Sequence, residues 1–149
     1  MNSWRKFWRL SRFERQLFIQ SLLLLPLSGL TLRLISFKRL QSFLTHLAPA
    51  KKNSKEMAQN ARITNVMVQA AARHGAYRAT CLPQSLTLWW LLRRQGIKSD
   101  LRFGARKEAG RMEAHAWVEL DGIPLNETLD VDQRFKPFER AVIPARENS

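Results

Sequence analysis

The sequence has a single cysteine, Cys81, and few acidic side chains. Its 149 residues include 12 Asp and Glu against 25 Lys and Arg, which gives a formal net charge of +13. One cysteine excludes an internal disulfide framework and a four-thiolate metal site, and it is compatible with a reducing compartment. Because hydrophobic residues make up 45% of the chain, we expect a packed core rather than a disordered tail. No sequence pattern predicts a metal ion or a cofactor.

The positive charge is concentrated in the first half of the chain. Residues 1–80 carry 14 basic and 2 acidic side chains, whereas residues 81–149 carry 11 basic and 10 acidic ones. We therefore predict two parts, a basic, leucine-rich helical segment over residues 1–48 and a compact domain over residues 54–149. Leucines separate the basic residues and no groove-reading motif is present, so we expect no nucleic-acid partner.

The N-terminal segment contains an uncharged, leucine-rich run over residues 16–32. As a helix it would be about 25 Å long, at the short limit for crossing a hydrocarbon core of about 30 Å. Pro26 and Gly29 within the run predict a helix break. A second apolar pattern with helical spacing continues to Leu47. The segment can pack on the domain or on a partner, which we favour, or it can lie at a membrane interface or span a membrane.

The rest of the chain predicts helices followed by an antiparallel sheet, which is an α+β fold. Helical periodicity runs from Ser54 to His74 and again from Thr80 to Gly96. After the second helix the period shortens to two, and strands are predicted at Ile97–Phe103, Ala114–Leu120 and Ile123–Glu127. The connection between the first two strands and the tail after the third are predicted as loops.

Cys81 lies at the start of the second of these helices. The free N–H groups and the dipole of a helix N-terminus stabilise a thiolate and can hold an oxyanion during acyl transfer. The backbone N–H of Cys81 is the expected oxyanion donor, with Gln84 as the second candidate. His115 follows on a strand between two alanines, which leave room around an imidazole. A cysteine, a histidine and an acid on the next strand occur in the order of a papain-like cysteine protease.

The side chain that would orient His115 is that of Glu127 or Asp130, with Asn126 as a third, uncharged candidate. The length of the predicted hairpin loop at Asp121-Gly122 separates them. A two-residue loop would place Asn126 and Asp130 on the face of His115, whereas a three-residue loop would place Glu127 directly opposite it. We favour Glu127, because its carboxylate can accept from the imidazole N–H and hold the tautomer.

Three motifs carry a resemblance to a known family: C-L-P-Q-S-L, L-L-R-R-Q-G-I and H-A-W-V-E-L-D-G-I-P-L-N-E. Over residues 54–140 they resemble the transglutaminase-like cysteine protease of lasso peptide biosynthesis. In that family the enzyme removes the leader from a ribosomally made precursor, and an asparagine-synthetase-like cyclase then closes the ring. The resemblance implies a papain-like core, with Cys81 as nucleophile and His115 as base. It places Glu127 about where the family pattern has an Asp.

The resemblance also implies partners. The chain carries no leader-recognition module, so we expect a separate leader-recognition protein beside the precursor peptide and the cyclase. We expect a cytoplasmic protein, with peripheral membrane contact through residues 1–48 as an open alternative. A transglutaminase-like acyltransferase with the same three residues is the alternative activity. A basic protein that binds nucleic acid or a membrane is the alternative class.

Overall fold

The computed structural model describes residues 2–36, 39 and 54–137, and within them the chain forms five helices. Their bounds are α1 Asn2–Arg9, α2 Arg12–Leu34, α3 Lys55–His74, α4 Cys81–Arg94 and α5 Val131–Arg134. Serine side chains cap the N-termini of the two longest helices, α2 and α3. Ser11 and Glu14 form a reciprocal capping box at the start of α2, and the Ser54 hydroxyl accepts from the Met57 N–H at the start of α3. The helical pattern predicted to continue to Leu47 lies largely outside the described residues.

Four strands follow α4 and form one antiparallel sheet in the order β3-β2-β1-β4, with α5 between β3 and β4 in the sequence. Their bounds are β1 Asp100–Glu108, β2 Arg111–Leu120, β3 Ile123–Pro124 and β4 Lys136–Pro137. The predicted α+β class, helices followed by an antiparallel sheet with an N-terminal helical segment, is therefore confirmed.

The strand boundaries differ from the predicted ones. β1 continues through residues predicted as a polar connection and turns only at Ala109-Gly110, where both residues have a positive φ. Arg106 explains the extension, because it pairs across the ladder with Glu113 at 2.7 Å and along its own strand with Glu108 at 2.8 Å. β3 is only two residues long. The tail after it forms α5 and β4 instead of a loop.

The helix break predicted in the N-terminal run is wrong, because α2 is continuous through Pro26. The helix buries Leu17, Ser21, Leu25 and Gly29 along one face, and Pro26 lies on the exposed side. Gly29 serves close packing: a Cβ at this position would lie 2.0 Å from the Tyr77 hydroxyl. Burial of one whole face outweighs the local breaking tendency.

The hydrophobic core lies between α2, α3, α4 and one face of the sheet. α4 is its centre, with Trp89 and Leu88 fully buried, and Leu25 of α2 reaches the same cluster. A smaller cluster of Trp117, Val131 and Phe135 lies apart from it. The division into residues 1–48 and 54–149 stays a prediction; within the described residues, α2 packs on both α3 and α4.

Replacing Pro26 with Ala should stabilise the fold. The substitution restores an N–H that can donate to the Leu22 carbonyl, and a proline inside a helix costs about 3 kcal/mol relative to alanine. After allowance for the freer unfolded chain, we expect the free energy of unfolding to rise by about 2 kcal/mol in urea titrations. Leu30→Ala, one turn further along the same exposed face, is the control. A lower stability of Pro26→Ala would contradict this view of α2.

Candidate active site

Cys81 is the first residue of α4, and the start of this helix lacks a side-chain cap. Thr80 occupies the N-cap position, but its hydroxyl makes no cap hydrogen bond. Pro83, the third helical residue, has no N–H to donate, so one of the two usual partners of an N-cap hydroxyl is missing. Gln84, the second candidate oxyanion donor, gives its side-chain N–H to the Ala79 carbonyl at 2.7 Å. The backbone N–H groups at the start of the helix are available to an anion beside the half-buried Cys81 thiol, and one N–H of the Gln84 amide is already used.

Hydrogen bonds among Ser85, Ala116, Asn126 and Val118 hold the N-terminal part of α4 against β2, and we call this set the Ser85 bracket. One turn after Cys81, the buried Ser85 hydroxyl donates to the Ala116 carbonyl at 2.9 Å and accepts from the Asn126 amide at 3.0 Å. The Asn126 oxygen accepts from the Val118 N–H at 2.8 Å. Asn126, a candidate for orienting the histidine, is thus committed to holding α4 on the hairpin. Sequence reasoning missed Ser85, because a serine in a helix that also contains glutamine, threonine and arginine is a weak signal.

The strand neighbour of Ala116 is His115, and the structure brings Glu127 to it. His115 Nε2 lies 2.5 Å from Glu127 Oε1, and both side chains are about four-fifths buried, with exposed fractions of 19% and 22%. A ring whose Nε2–H donates to a carboxylate keeps Nδ1 as an acceptor for a thiol proton. Within the described part of the chain, the Cys81 thiol itself makes no hydrogen bond.

The hairpin that leads to Glu127 has the two-residue loop. Leu120 pairs with Ile123, and Asp121 and Gly122 have φ values of 51° and 81°. The three-residue loop that sequence reasoning linked to Glu127 is therefore wrong. β3 ends after two residues, so the chain leaves the ladder and the register no longer decides which side chain faces the imidazole.

Aromatic rings cover the imidazole of His115. Phe135 stacks on it with ring centroids 4.7 Å apart and planes at 24°, and Trp117 lies 6.3 Å away on the same face of β2. Gly104, directly across the ladder from His115, makes room for them: a Cβ there would lie 3.0 Å from both Trp117 and Phe135. Trp117 is fully buried.

The second oxygen of the Glu127 carboxylate is also bound. Glu127 Oε2 accepts from Arg134 Nη2 at 3.0 Å and from the Thr128 N–H at 3.3 Å. Partial burial raises the pKa of Glu127, but the hydrogen bonds from His115, Thr128 and Arg134 outweigh burial and hold the pKa below its ordinary value. A hydrogen bond from the Thr128 hydroxyl lowers the pKa of Asp130, which contacts Thr128 and Arg134 and not the imidazole.

The arrangement is compatible with acyl transfer by a thiol. His115 lies on β2, the strand that the bracket joins to α4, and the Glu127 carboxylate contacts its imidazole. Among residues 2–36 and 54–137, no group of three His, Cys, Asp or Glu side chains could hold a metal ion. The elements present are a thiol at a helix N-terminus, an oriented imidazole and unclaimed backbone donors.

A cysteine at a helix start and a histidine on the following antiparallel sheet define the class of papain-like folds. The family model described as the transglutaminase-like superfamily matches residues 24–140, most of the chain, so the chain belongs to that superfamily. Its members are typically cysteine-dependent enzymes, and the domain indicates cysteine protease or acyltransferase activity. Comparisons with curated proteins and with solved structures found no match.

Ser85→Ala should weaken the fold beside the site. It leaves the Ala116 carbonyl and one Asn126 N–H without their buried partner, which costs about 1–3 kcal/mol. Ser99→Ala is the matched control, because Ser99 is equally buried but its hydroxyl has no hydrogen-bond partner among the described residues. Urea unfolding should show the loss for Ser85→Ala and a change within about 0.5 kcal/mol for Ser99→Ala. Equal losses for the two variants would contradict the bracket.

Proposed function

We propose that the protein is a cysteine endopeptidase that removes the leader peptide from a lasso peptide precursor. Cys81 is the nucleophile, His115 the base and Glu127 the residue that orients the base. The observation that carries the proposal is the His115–Glu127 contact, at 2.5 Å, on the strand joined by the Ser85 bracket to the helix that Cys81 begins. The lasso assignment rests on the motif resemblance around Cys81 and His115.

The proposed roles define the following reaction. His115 Nδ1 takes the thiol proton, and the thiolate attacks the carbonyl carbon of the scissile peptide bond. The oxyanion accepts from the first-turn N–H groups, including that of Cys81. The imidazolium returns its proton to the leaving amine, which departs with the core peptide. Water, deprotonated by His115, then hydrolyses the thioester, so the leader leaves as a carboxylic acid and the thiol is restored.

Glu127 keeps the imidazole oriented and stabilises its positive charge without taking the proton. A carboxylate whose pKa lies below its ordinary value remains ionised at neutral pH and is a weak proton acceptor. A transglutaminase-like acyltransferase would use the same first step and differ in the second, where an amine replaces water as the acceptor of the acyl group.

The exposed face of α2 supports the proposal of a separate leader-recognition protein. Five large apolar side chains spaced three or four residues apart form an exposed stripe, which consists of Ile19, Leu23, Leu27, Leu30 and Leu34. Exposed Arg12 and Arg33 lie near its two ends. Monomeric proteins rarely expose such a contiguous face, which marks an interaction surface. By length and composition alone α2 could also cross a bilayer, so membrane binding is the competing use of this stripe.

Substitutions at the three proposed catalytic positions test the activity. Cys81→Ala should abolish precursor cleavage and leave the fold intact, because it is a small volume change at a half-buried position. Glu127→Gln should lower kcat by about two orders of magnitude or more, because an uncharged amide no longer stabilises the imidazolium. Asp130→Asn, which changes the neighbouring carboxylate, is the control and should change kcat much less. Normal cleavage by Cys81→Ala would end the cysteine-protease proposal.

Partner dependence tests the second half of the proposal. A leader-binding partner raises the local concentration of precursor at Cys81, so cleavage should be slow with this protein alone and faster when the partner is added. We expect genes for the partner and the precursor beside this one. Removing residues 1–48 would take Leu25 out of the core, so point variants are the better probe.

Leu23→Ser with Leu27→Ser should reduce the stimulation by the partner and leave the unstimulated rate unchanged. Val66→Ser on α3, also exposed and apolar, is the matched control. Full stimulation of the double variant would move the docking surface elsewhere on the chain. Loss of vesicle binding instead of partner binding would assign the stripe to a membrane.

A further inference from the structure

Arg134 contacts three side chains near the His115 imidazole, those of Glu127, Thr128 and Asp130. Its Nη2 atom donates to Glu127 Oε2 at 3.0 Å and to the Thr128 hydroxyl at 2.9 Å, and its Nε lies 3.5 Å from Asp130 Oδ1. The guanidinium also lies 5.7 Å from the centre of the Phe135 ring, which is the ring stacked on His115. Arg134 touches no atom of His115 or Cys81 in any of these contacts.

Glu127 needs such a partner because of where it lies. It follows the end of β3 in an irregular stretch, so no ladder hydrogen bond fixes its backbone, and its side chain has three rotatable bonds. A carboxylate with one oxygen on an imidazole can still swing towards solvent. Binding of the second oxygen by a guanidinium reduces that freedom, since each oxygen then has its own partner.

We propose that Arg134 is a positioning residue, which holds Glu127 Oε2 so that Oε1 stays on His115 Nε2. The inference rests on the proposed function of Cys81, His115 and Glu127. Arg134 acts only through Glu127, and its removal should therefore have no effect once the Glu127 carboxylate is gone.

Arg106 supplies the matched control. Its guanidinium lies over the same Phe135 ring at 4.7 Å, but its ion pairs are with Glu108 and Glu113 on the β1–β2 ladder. Substitution of Arg106 therefore tests the loss of a cation beside Phe135 without touching Glu127. Arg134→Lys is the conservative variant: it keeps the positive charge but loses the planar fork that reaches two acceptors.

The experiment is a double-mutant cycle read by alkylation of Cys81 with iodoacetamide. The chain has one cysteine, so the modified site is unambiguous. At about pH 6 the alkylation rate follows the fraction of thiolate, which an oriented imidazolium increases. We expect Arg134→Gln to lower the rate about tenfold, as for loss of one hydrogen bond to a charged group. In the Glu127→Gln background it should have no further effect.

The cycle has clear outcomes. An intermediate rate for Arg134→Lys and a rate near wild type for Arg106→Gln support the proposal, as does a fall in precursor kcat with little change in KM. A wild-type rate for Arg134→Gln, or an equal effect in both backgrounds, overturns it. If Arg134→Gln does not fold by circular dichroism, the same cycle with Arg134→Lys decides, and an unchanged rate overturns the proposal. Equal rates for wild type and Glu127→Gln would instead contradict the proposed triad.

Discussion

The packing of α4 between two helices and the sheet is the contact on which the rest of the molecule depends. The helix has no polar face to expose, so α2 and α3 cover one side and β2 covers another. The buried Ser85 hydroxyl bonds to Ala116 on β2 and to Asn126 just after β3, and these bonds fix the rotation of the helix about its axis. Burial of the apolar side chains of α4 thus fixes the position of Cys81, and the hydrogen bonds of Ser85 fix the direction in which the start of the helix faces.

Much of this arrangement could be predicted, because it depends on strong local patterns. The starts of α3 and α4, the hairpin at Asp121-Gly122 and the α+β order follow from caps, periodicity and turn residues. Pro26 misled because a breaking residue on the exposed side is tolerated when the opposite face is buried. β1 was predicted too short because a charged stretch around Arg106 is typical of a loop. Its ion pair with Glu113 on β2, which stabilises the extended strand, is not visible in the local sequence.

Glu127 shows a different limit of sequence reasoning. The residue expected beside His115 is the one found there, but the register argument for it does not hold. β3 ends at Pro124, and the path beyond it is set by contacts distant in sequence: Asn126 with Ser85, and Phe135 with the imidazole. Such contacts have no local signature. The roles of Cys81, His115 and Glu127 in catalysis stay predictions.

The small cluster of Trp117, Val131 and Phe135 can form only late in synthesis, because Val131 and Phe135 follow the first three strands in the sequence. The ribosome synthesises the chain from its N-terminal end, so α1 to α4 are made first, with most of the apolar core. Glu127, Arg134 and Phe135 are made later, after the strand that carries His115. A nascent chain that ends before them therefore has the imidazole without the carboxylate and the aromatic ring that contact it in the finished structure. The surroundings of the His115 imidazole can therefore form only after residues 127–135 have been synthesised.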